Sequence, residues 1–307
     1  MAECDDAPRR IELSWSRLKA YEVCHQRGKL MLEGKKSKAI DGRVFLAGNL
    51  ADRAMMKWLN EGKKTGDFRP GGMEALIPEL WREQTGPEGE YSYQWKGDPR
   101  EDKLGILQKA INGLRILEPI LMEKVVPYEF RTDYRFKAPV GIPGLDGETV
   151  NIELSAAVDV AVQISDQQYG LYDLKLSDKA GYLRSTLGQL IFYDLVFKAY
   201  TGLQAVEHEF WAPLLPIADK PESAIIALDV QPEHRKQMVS RIIAYSHGVW
   251  SGSWELTPDE NECYFCPVKH ACPRWLPSLT KDDQGRNRAA FGRNGASYGI
   301  MDKKEKE

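Results

Sequence analysis

Three of the five cysteines in this chain fall within ten residues, CYFCPVKHAC, as Cys263, Cys266 and Cys272. Disulfides take cysteines two by two and would leave one over, so the group reads as a metal-binding set. Two residues separate Cys263 from Cys266, which lets both thiolates grip one centre. Cys272 follows after five more, with Pro267 and Pro273 stiffening the loop. Three thiolates are one ligand short of a closed site.

A second group carries hard oxygen. In VNIELSAAVDVAVQI, alternation turns Val158, Val160 and Val162 one way and Asp159, Ala161 and Gln163 the other. In YGLYDLKLS the same rule sets Leu171, Asp173 and Lys175 against Tyr172, Leu174 and Leu176. The connector SDQQYG is short enough for a hairpin, which brings Asp159 beside Asp173 and Lys175. Two carboxylates suit a divalent cation such as Mg²⁺, and an adjacent ammonium can orient water or balance charge on a phosphate. That is equipment for phosphodiester hydrolysis. Alone, Asp-Leu-Lys is more commonly an exposed salt-bridged edge, so its neighbours matter. Gln189 and Tyr193 lie four apart on one helix face, and Asp52 stands four residues after Gly48 on another helix.

The elements that must place these residues follow from the same patterns. Strands are expected over 128–139, 150–164 and 169–177, and a helix from Ser185 to Tyr200 with Gly202 beyond its end. Asp98-Pro99 opens a long amphipathic helix carrying Leu104, Leu107, Ile111, Leu114, Leu117 and Leu121. Earlier helices are expected near 46–60, beginning about Gly48, and near 73–83, with a turn-rich mobile loop over 84–101.

The chain has 307 residues, 42% hydrophobic and 28% charged, with a formal net charge of −3. No apolar run approaches the roughly 18 residues of a membrane span, and MAECDDAPRRIELSW has no apolar leader segment, so a soluble cytoplasmic protein without membrane contact is expected. The charge disfavours wholesale wrapping by nucleic acid but leaves room for a local basic run, QRGKLMLEGKKSK, with Arg27, Lys29, Lys35, Lys36 and Lys38. Such a run is more commonly a solvated face.

Taken in order, Gly48 to Asp52, Asp159, Asp173-Leu174-Lys175 and Gln189-x-x-x-Tyr193 resemble the RecB-like branch of the PD-(D/E)XK nucleases. With the cysteines, the chain is similar to the AddB nuclease domain and the CRISPR-associated Cas-four exonucleases. These hold a 4Fe-4S cluster on one early and three late cysteines. The resemblance supplies the missing ligand as Cys24, in SWSRLKAYEVCHQRGKL, although His25 stands where proline is usual. It implies an α/β fold, with a mixed central sheet flanked by helices, a helical insertion, and a cluster joining the two ends. The domain would run over 12–276, with the insertion at about 60–125, the catalytic sheet and helix at 127–215 and the cluster segment at 255–276. Residues 1–11 would be a flexible lead and 277–307 a disordered tail.

The implied activity is a metal-dependent deoxyribonuclease, an exonuclease on single-stranded DNA or DNA ends. Its partners would be recombination, repair or CRISPR adaptation proteins. Asp159, Asp173, the Leu174 carbonyl and Asp52 would hold Mg²⁺ or Mn²⁺, and Lys175 would position water. Gln189, Tyr193, Ser16, Arg17 and Arg53 would hold the DNA. Two positions depart from the family: Asp52 stands where histidine is usual, and Ala156 where glycine is usual. Aspartate is still an oxygen ligand, so activity is expected. The alternative is a catalytically silent DNA-binding or assembly module with the same fold. Zinc rivals the cluster, since four thiolates, or three with His25 or His270, suit it equally on ligand chemistry.

Overall fold

The computed structural model describes residues 11–35, 43–85, 99–214, 221–254, 263, 266–272, 279–281, 287–291 and 296–298. The chain divides into two compact units, Met1–Trp15 with Asp41–Ala244, and Ser16–Ile40 with Tyr245–Glu307.

The first unit is built on a six-stranded mixed sheet. Its strands are β1 (Ile11–Ser14), β2 (Glu129–Pro143), β3 (Thr149–Ser165), β4 (Gln168–Leu174), β5 (Gln204–Trp211) and β6 (Ile225–Ala227). β2 pairs antiparallel with β3 from Pro143↔Thr149 to Glu129↔Gln163. Their turn closes with the Gly144 N–H donated to the Glu148 carbonyl at 2.6 Å, and Gly147 has φ 87°, a left-handed conformation suited to glycine. β1 pairs parallel with β3 over Ile152–Ser155, and β4 pairs antiparallel with it from Ser165 to Val160. Since β2 already occupies one edge of β3 along these stretches, β1 and β4 share the other. β4 and β5 run parallel, from Gln168↔Gln204 to Leu174↔Trp211.

One residue breaks the pattern of β2. Asp133 has φ 43°, the one non-glycine positive φ among the described residues, and the ladder skips it between Thr132↔Val160 and Tyr134↔Val158. Phe130 and Phe136 are an even number apart and should share a face. Yet Phe130 joins the core formed with the helices before the sheet, whereas Phe136 meets Phe197, 5.7 Å between centroids, on a helix that follows it. A left-handed residue lets a strand change face, and Asp is among the residues that tolerate it.

The first of these cores comes from α3 (Arg43–Thr65), α4 (Gly72–Thr85) and α5 (Pro99–Lys124). Pro99 supplies a helical φ at the start of α5, Glu101 and Asp102 sit in its first turn and Lys124 in its last, all favourable to the helix dipole. Leu50 and Leu59 of α3, Ile77 and Leu80 of α4, and Leu114, Leu117 and Leu121 of α5 pack with Val160, Val162, Tyr172, Leu174 and Trp211 of the sheet. Burying each such leucine contributes about 1.5–3 kcal/mol. After the sheet turns, α6 (Ala180–Thr186) and α7 (Gly188–Thr201) follow β4. α7 stops at Gly202, φ 71°, whose N–H bonds the Lys198 carbonyl at 2.9 Å. α8 (Pro232–Ser251) crosses from the first unit into the second.

The strands and helices therefore form the mixed sheet flanked by helices that the sequence implies. Several boundaries differ: α3 begins at Arg43 rather than near Gly48, the strand expected over 169–177 ends at Leu174, residues 84–85 and 99–101 of the expected loop belong to α4 and α5, and the helix expected over Ser185–Tyr200 is two helices parted at Leu187. Of the expected loop over 84–101, residues 86–98 lie outside the described residues, as do 1–10 of the expected lead.

The second unit holds α1 (Trp15–Val23) from Ser16 onward, α2 (His25–Leu32) and the end of α8. Tyr21 is its hub, stacked on His25 at 4.1 Å and edge-on to Tyr245 at 5.1 Å and Trp254 at 6.1 Å. A Cβ at Gly28 would stand 2.9 Å from the Tyr21 Cα, so the close approach requires glycine there. Within 277–307, described residues form three antiparallel strands, β7 (Leu279–Lys281), β8 (Asn287–Phe291) and β9 (Ala296–Tyr298), and the remainder lies outside the described residues.

Candidate active site

The ladder between β3 and β4 ends at Val160↔Tyr172. One step further, Asp159 and Asp173 stand level across the two strands. The Leu174 N–H is donated to Asp159 Oδ2 at 2.7 Å, so a side chain takes over where the β3 backbone stops pairing. On its other side β4 stays held, with the Lys175 N–H donated to the Trp211 carbonyl at 2.8 Å. Lys175 then turns its amine onto Asp173 Oδ2. The acids and the amine that alternation placed on one face are thus gathered at one point.

Asp173 is buried, 2% exposed, and accepts from Gln189 Nε2 at 3.1 Å through Oδ1. Tyr193 completes the contact: its phenol hydrogen-bonds Asp173 and lies against the Gln189 amide. The pair at i and i+4 on α7 therefore grips an acid of the site. Tyr193 is itself buried, so its ring offers no face to a base.

The charges around this point explain its protonation. Burial raises the Asp159 pKa well above the ordinary value, Asp173 and Asp52 add to the rise, and Lys175 and the Leu174 N–H oppose it. Asp173 is also raised by burial, against Lys175 and the Tyr193 hydrogen bond. Asp52 is pushed up to about 6, by burial and then by Asp173. Burial works to lower Lys175, but Asp173 and Asp159 outweigh it and hold the amine above its usual range, hence charged. α3 thus brings Asp52 within electrostatic reach of both strand acids. Asp52 Oδ1 is buried with no hydrogen-bond partner.

A family model, the PD-(D/E)XK nuclease superfamily, matches residues 12–273 and so takes in all of these residues. The chain belongs to the PD-(D/E)XK nuclease superfamily. Among solved structures, that of SSO0001 is 15% identical to this nuclease, covers 84% of this chain and 94% of its own, and superposes with a TM-score of 0.33. No curated protein matches.

PD-(D/E)XK nucleases generally use divalent metals. Three hard carboxylates, an orphaned buried oxygen on Asp52 and the Leu174 carbonyl suit a Mg²⁺-like ion in type. Among the described residues, no three His, Cys, Asp or Glu side chains already stand as a finished ligand cage. Asp159 Oδ2 is turned to the Leu174 N–H and Asp173 Oδ2 to Lys175.

Three further predicted residues are placed as follows. Arg53 is on α3, exposed, and its charge lowers the Asp52 pKa. Ser16 and Arg17 belong to the second unit, where Arg17 lies in electrostatic range of Tyr245. In the basic run, Lys29 pairs with Glu33 at 3.9 Å, while Lys36 and Lys38 lie outside the described residues.

The second unit contains all four predicted thiols, and none of the four is in a disulfide. Cys24 sits at the break between α1 and α2, with φ −162°, and its carbonyl accepts the Gly28 N–H at 3.0 Å. The Cys266 N–H is donated to the Cys263 carbonyl at 3.2 Å. Burial raises the Cys266 pKa, and Cys24 and Cys272 raise it further, against the Val268 N–H and Arg27. Cys24 and Cys272 thus lie near Cys266. Four soft donors fit zinc or an iron–sulfur cluster in type. His25 stacks on Tyr21, with a buried Nδ1 that has no hydrogen-bond partner.

One buried group escaped the sequence reading. Asp194, adjacent to Tyr193, is 1% exposed and takes Arg235 Nε at 2.6 Å, Arg235 Nη2 at 3.2 Å and His208 Nε2 at 3.1 Å. These contacts tie α7 to α8 and β5 and hold the Asp194 pKa below its ordinary value despite burial. Asp, His and Arg each stand alone in sequence, separated by 14 and 41 residues from Asp194, so no local motif announces them.

Proposed function

We propose that this nuclease is a divalent-metal-dependent deoxyribonuclease of the RecB-like branch, an exonuclease on single-stranded DNA or DNA ends. The observation that carries the reading is the convergence of Asp159, Asp173 and Lys175, with Asp52 within electrostatic reach. Asp52, Asp159, Asp173 and the Leu174 carbonyl would hold Mg²⁺ or Mn²⁺, which when bound supplies charge for an anionic phosphate. Lys175, kept charged by the two acids, donates a proton to hold the attacking water or a phosphate oxygen in place. The water oxygen bonds to phosphorus as it gives up a proton to solvent, the P–O bond to the leaving sugar breaks, and the departing oxygen takes up a proton from solvent. Gln189 and Tyr193 keep Asp173 aimed while this happens.

Cys24, Cys263, Cys266 and Cys272 would hold a 4Fe-4S cluster of the kind implied by similarity to the AddB and Cas-four proteins. Its role there is to tie residues far apart in sequence, limiting the freedom of the unfolded chain. Recombination, repair or CRISPR adaptation proteins in the cytoplasm would be the partners. The test is to incubate anaerobically purified protein with end-labelled single- and double-stranded DNA and Mg²⁺ or Mn²⁺, beside Asp173→Ala and Lys175→Ala. Degradation by the native chain alone supports the reading, and equal degradation by all three assigns the activity to another site or a contaminant. DNA binding without any degradation leaves the silent module. Iron and sulfide analysis decides between cluster and zinc.

A further inference from the structure

Resting on the nuclease reading above, we propose that Tyr182 and Phe45 form an aromatic border on which unpaired bases of a single DNA strand stack as the phosphate enters the acid cluster. Among the described residues four large rings are exposed, Phe45, Tyr128, Tyr182 and Tyr200, and of these Tyr182, 51% exposed, follows Lys175 closely in the chain and Phe45, 59% exposed, shares α3 with Asp52. Both belong to the first unit, which also holds the acid site.

Tyr182 is tied to Lys175 by a run of tight turns. The Ser177 N–H bonds the Lys175 carbonyl at 2.7 Å, the Lys179 N–H bonds Ser177 Oγ at 3.2 Å, and the Tyr182 N–H bonds the Lys179 carbonyl at 3.1 Å. Seven residues are thereby folded into a short path, and the Tyr182 phenol lies near enough to raise the Lys175 pKa. Ser185 Oγ donates to the Tyr182 carbonyl at 2.7 Å and pins this turn of α6. Phe45 precedes Asp52 by seven residues on α3, two turns along the same face. Gly48, between them, comes within 4.0 Å of Leu176, measured from the position a Cβ would take, so this face of α3 adjoins the strand end that bears Lys175.

Two exposed rings beside charged phosphate chemistry match the construction of single-strand sites, where aromatic faces take bases and cations take the backbone. A duplex already stacks its bases on one another and leaves interior ones no face to offer. The border therefore selects unpaired DNA. Tyr193, buried and bonded to Asp173, cannot serve in this role.

The experiment uses the full chain and an oligonucleotide carrying 2-aminopurine, as a single strand and as a blunt duplex, with Ca²⁺ replacing Mg²⁺ for binding and Mg²⁺ for cleavage. Tyr182→Ala and Phe45→Ala should each weaken single-strand binding about tenfold and reduce quenching of the base, with duplex binding unchanged. Tyr182→Phe should behave as the native chain, because stacking needs the ring and not the hydroxyl. Native cleavage with undiminished single-strand binding by Tyr182→Ala overturns the stacking border and leaves the nuclease reading intact. Ring-dependent binding without cleavage by the native chain supports the border and removes the nuclease reading. If Tyr182→Phe is as impaired as Tyr182→Ala, the phenol acts by hydrogen bonding and the border is overturned.

Discussion

The carboxylate group and the thiol group are each four side chains drawn from distant positions, but they are held in different ways. Asp159 sits inside β3 where its ladder with β4 ends, Asp173 near the end of β4 and Lys175 just past it, and Asp52 on a helix of 23 residues whose apolar face is buried. Their directions follow from periodicity, and Lys175, Gln189 and Tyr193 already hold Asp173. Cys24 stands at a helix break and Cys266 and Cys272 flank a 3₁₀ turn of three residues. The acid site is organised by the fold, whereas the thiol set, on the proposed reading, would organise the chain once its ligand binds. An ion should therefore matter to the first mainly for chemistry and to the second mainly for stability.

The sharpest test of that contrast is Lys175→Ala, expected to slow phosphodiester cleavage by about a hundredfold or more while the chain still folds, with a melting temperature lowered by the loss of the Asp173 partner. Label release from end-labelled DNA, followed beside circular dichroism melts, reads both. Next in size, Asp194→Ala strips Arg235 and His208 of their shared partner and should cost about 3 kcal/mol by urea denaturation. Asp194→Asn, which keeps hydrogen bonds but not charge, should cost less. Cys24→Ser should abolish bound iron and sulfide and destabilise by about 2–4 kcal/mol, by analogy with other cross-links. Isothermal titration should still find Mg²⁺ binding at the acids. Were that binding lost too, the two groups would not be independent.

The smallest effect is a pH dependence. Asp52 has a folded pKa of about 6, above the ordinary aspartate value of 3.8, so protonation favours the fold. In metal-free protein its contribution is full below pH about 4 and is lost as pH rises toward about 6. A cation competes with that proton. Thermal shift by Mg²⁺ should thus be greater at pH 7.5 than at pH 5, by a few degrees, and Asp52→Asn should flatten the difference. Equal shifts at both pH values would remove Asp52 from the cation's surroundings.

Much of the acid site was legible because alternation and a short hairpin connector are local signals. The 3.6-residue spacing likewise placed α5 and the Gln189–Tyr193 pair. Gly48 was read as a helix start, but its smallness coincides with the approach of Leu176 instead, and α3 begins a turn earlier. Nothing local marks β1 or β5, whose pairing with β3 and β4 comes from far along the chain. The same is true of Asp194, His208 and Arg235. Nothing local marks Tyr182 either, which the turns after Lys175 bring near the amine.

The turn between β2 and β3 has a practical consequence for anyone rebuilding this protein. Added residues between Gly144 and Glu148 only lengthen a loop at the far end of the hairpin, and the strands beyond keep their partners. One residue inserted between Ser155 and Val158 would instead rotate everything after it by half a pleat, carrying the 159 carboxylate away from its neighbours. Tags and reporter peptides belong in the former place, and a frame-preserving scan across both would map how far the hydrolytic centre depends on strand phase.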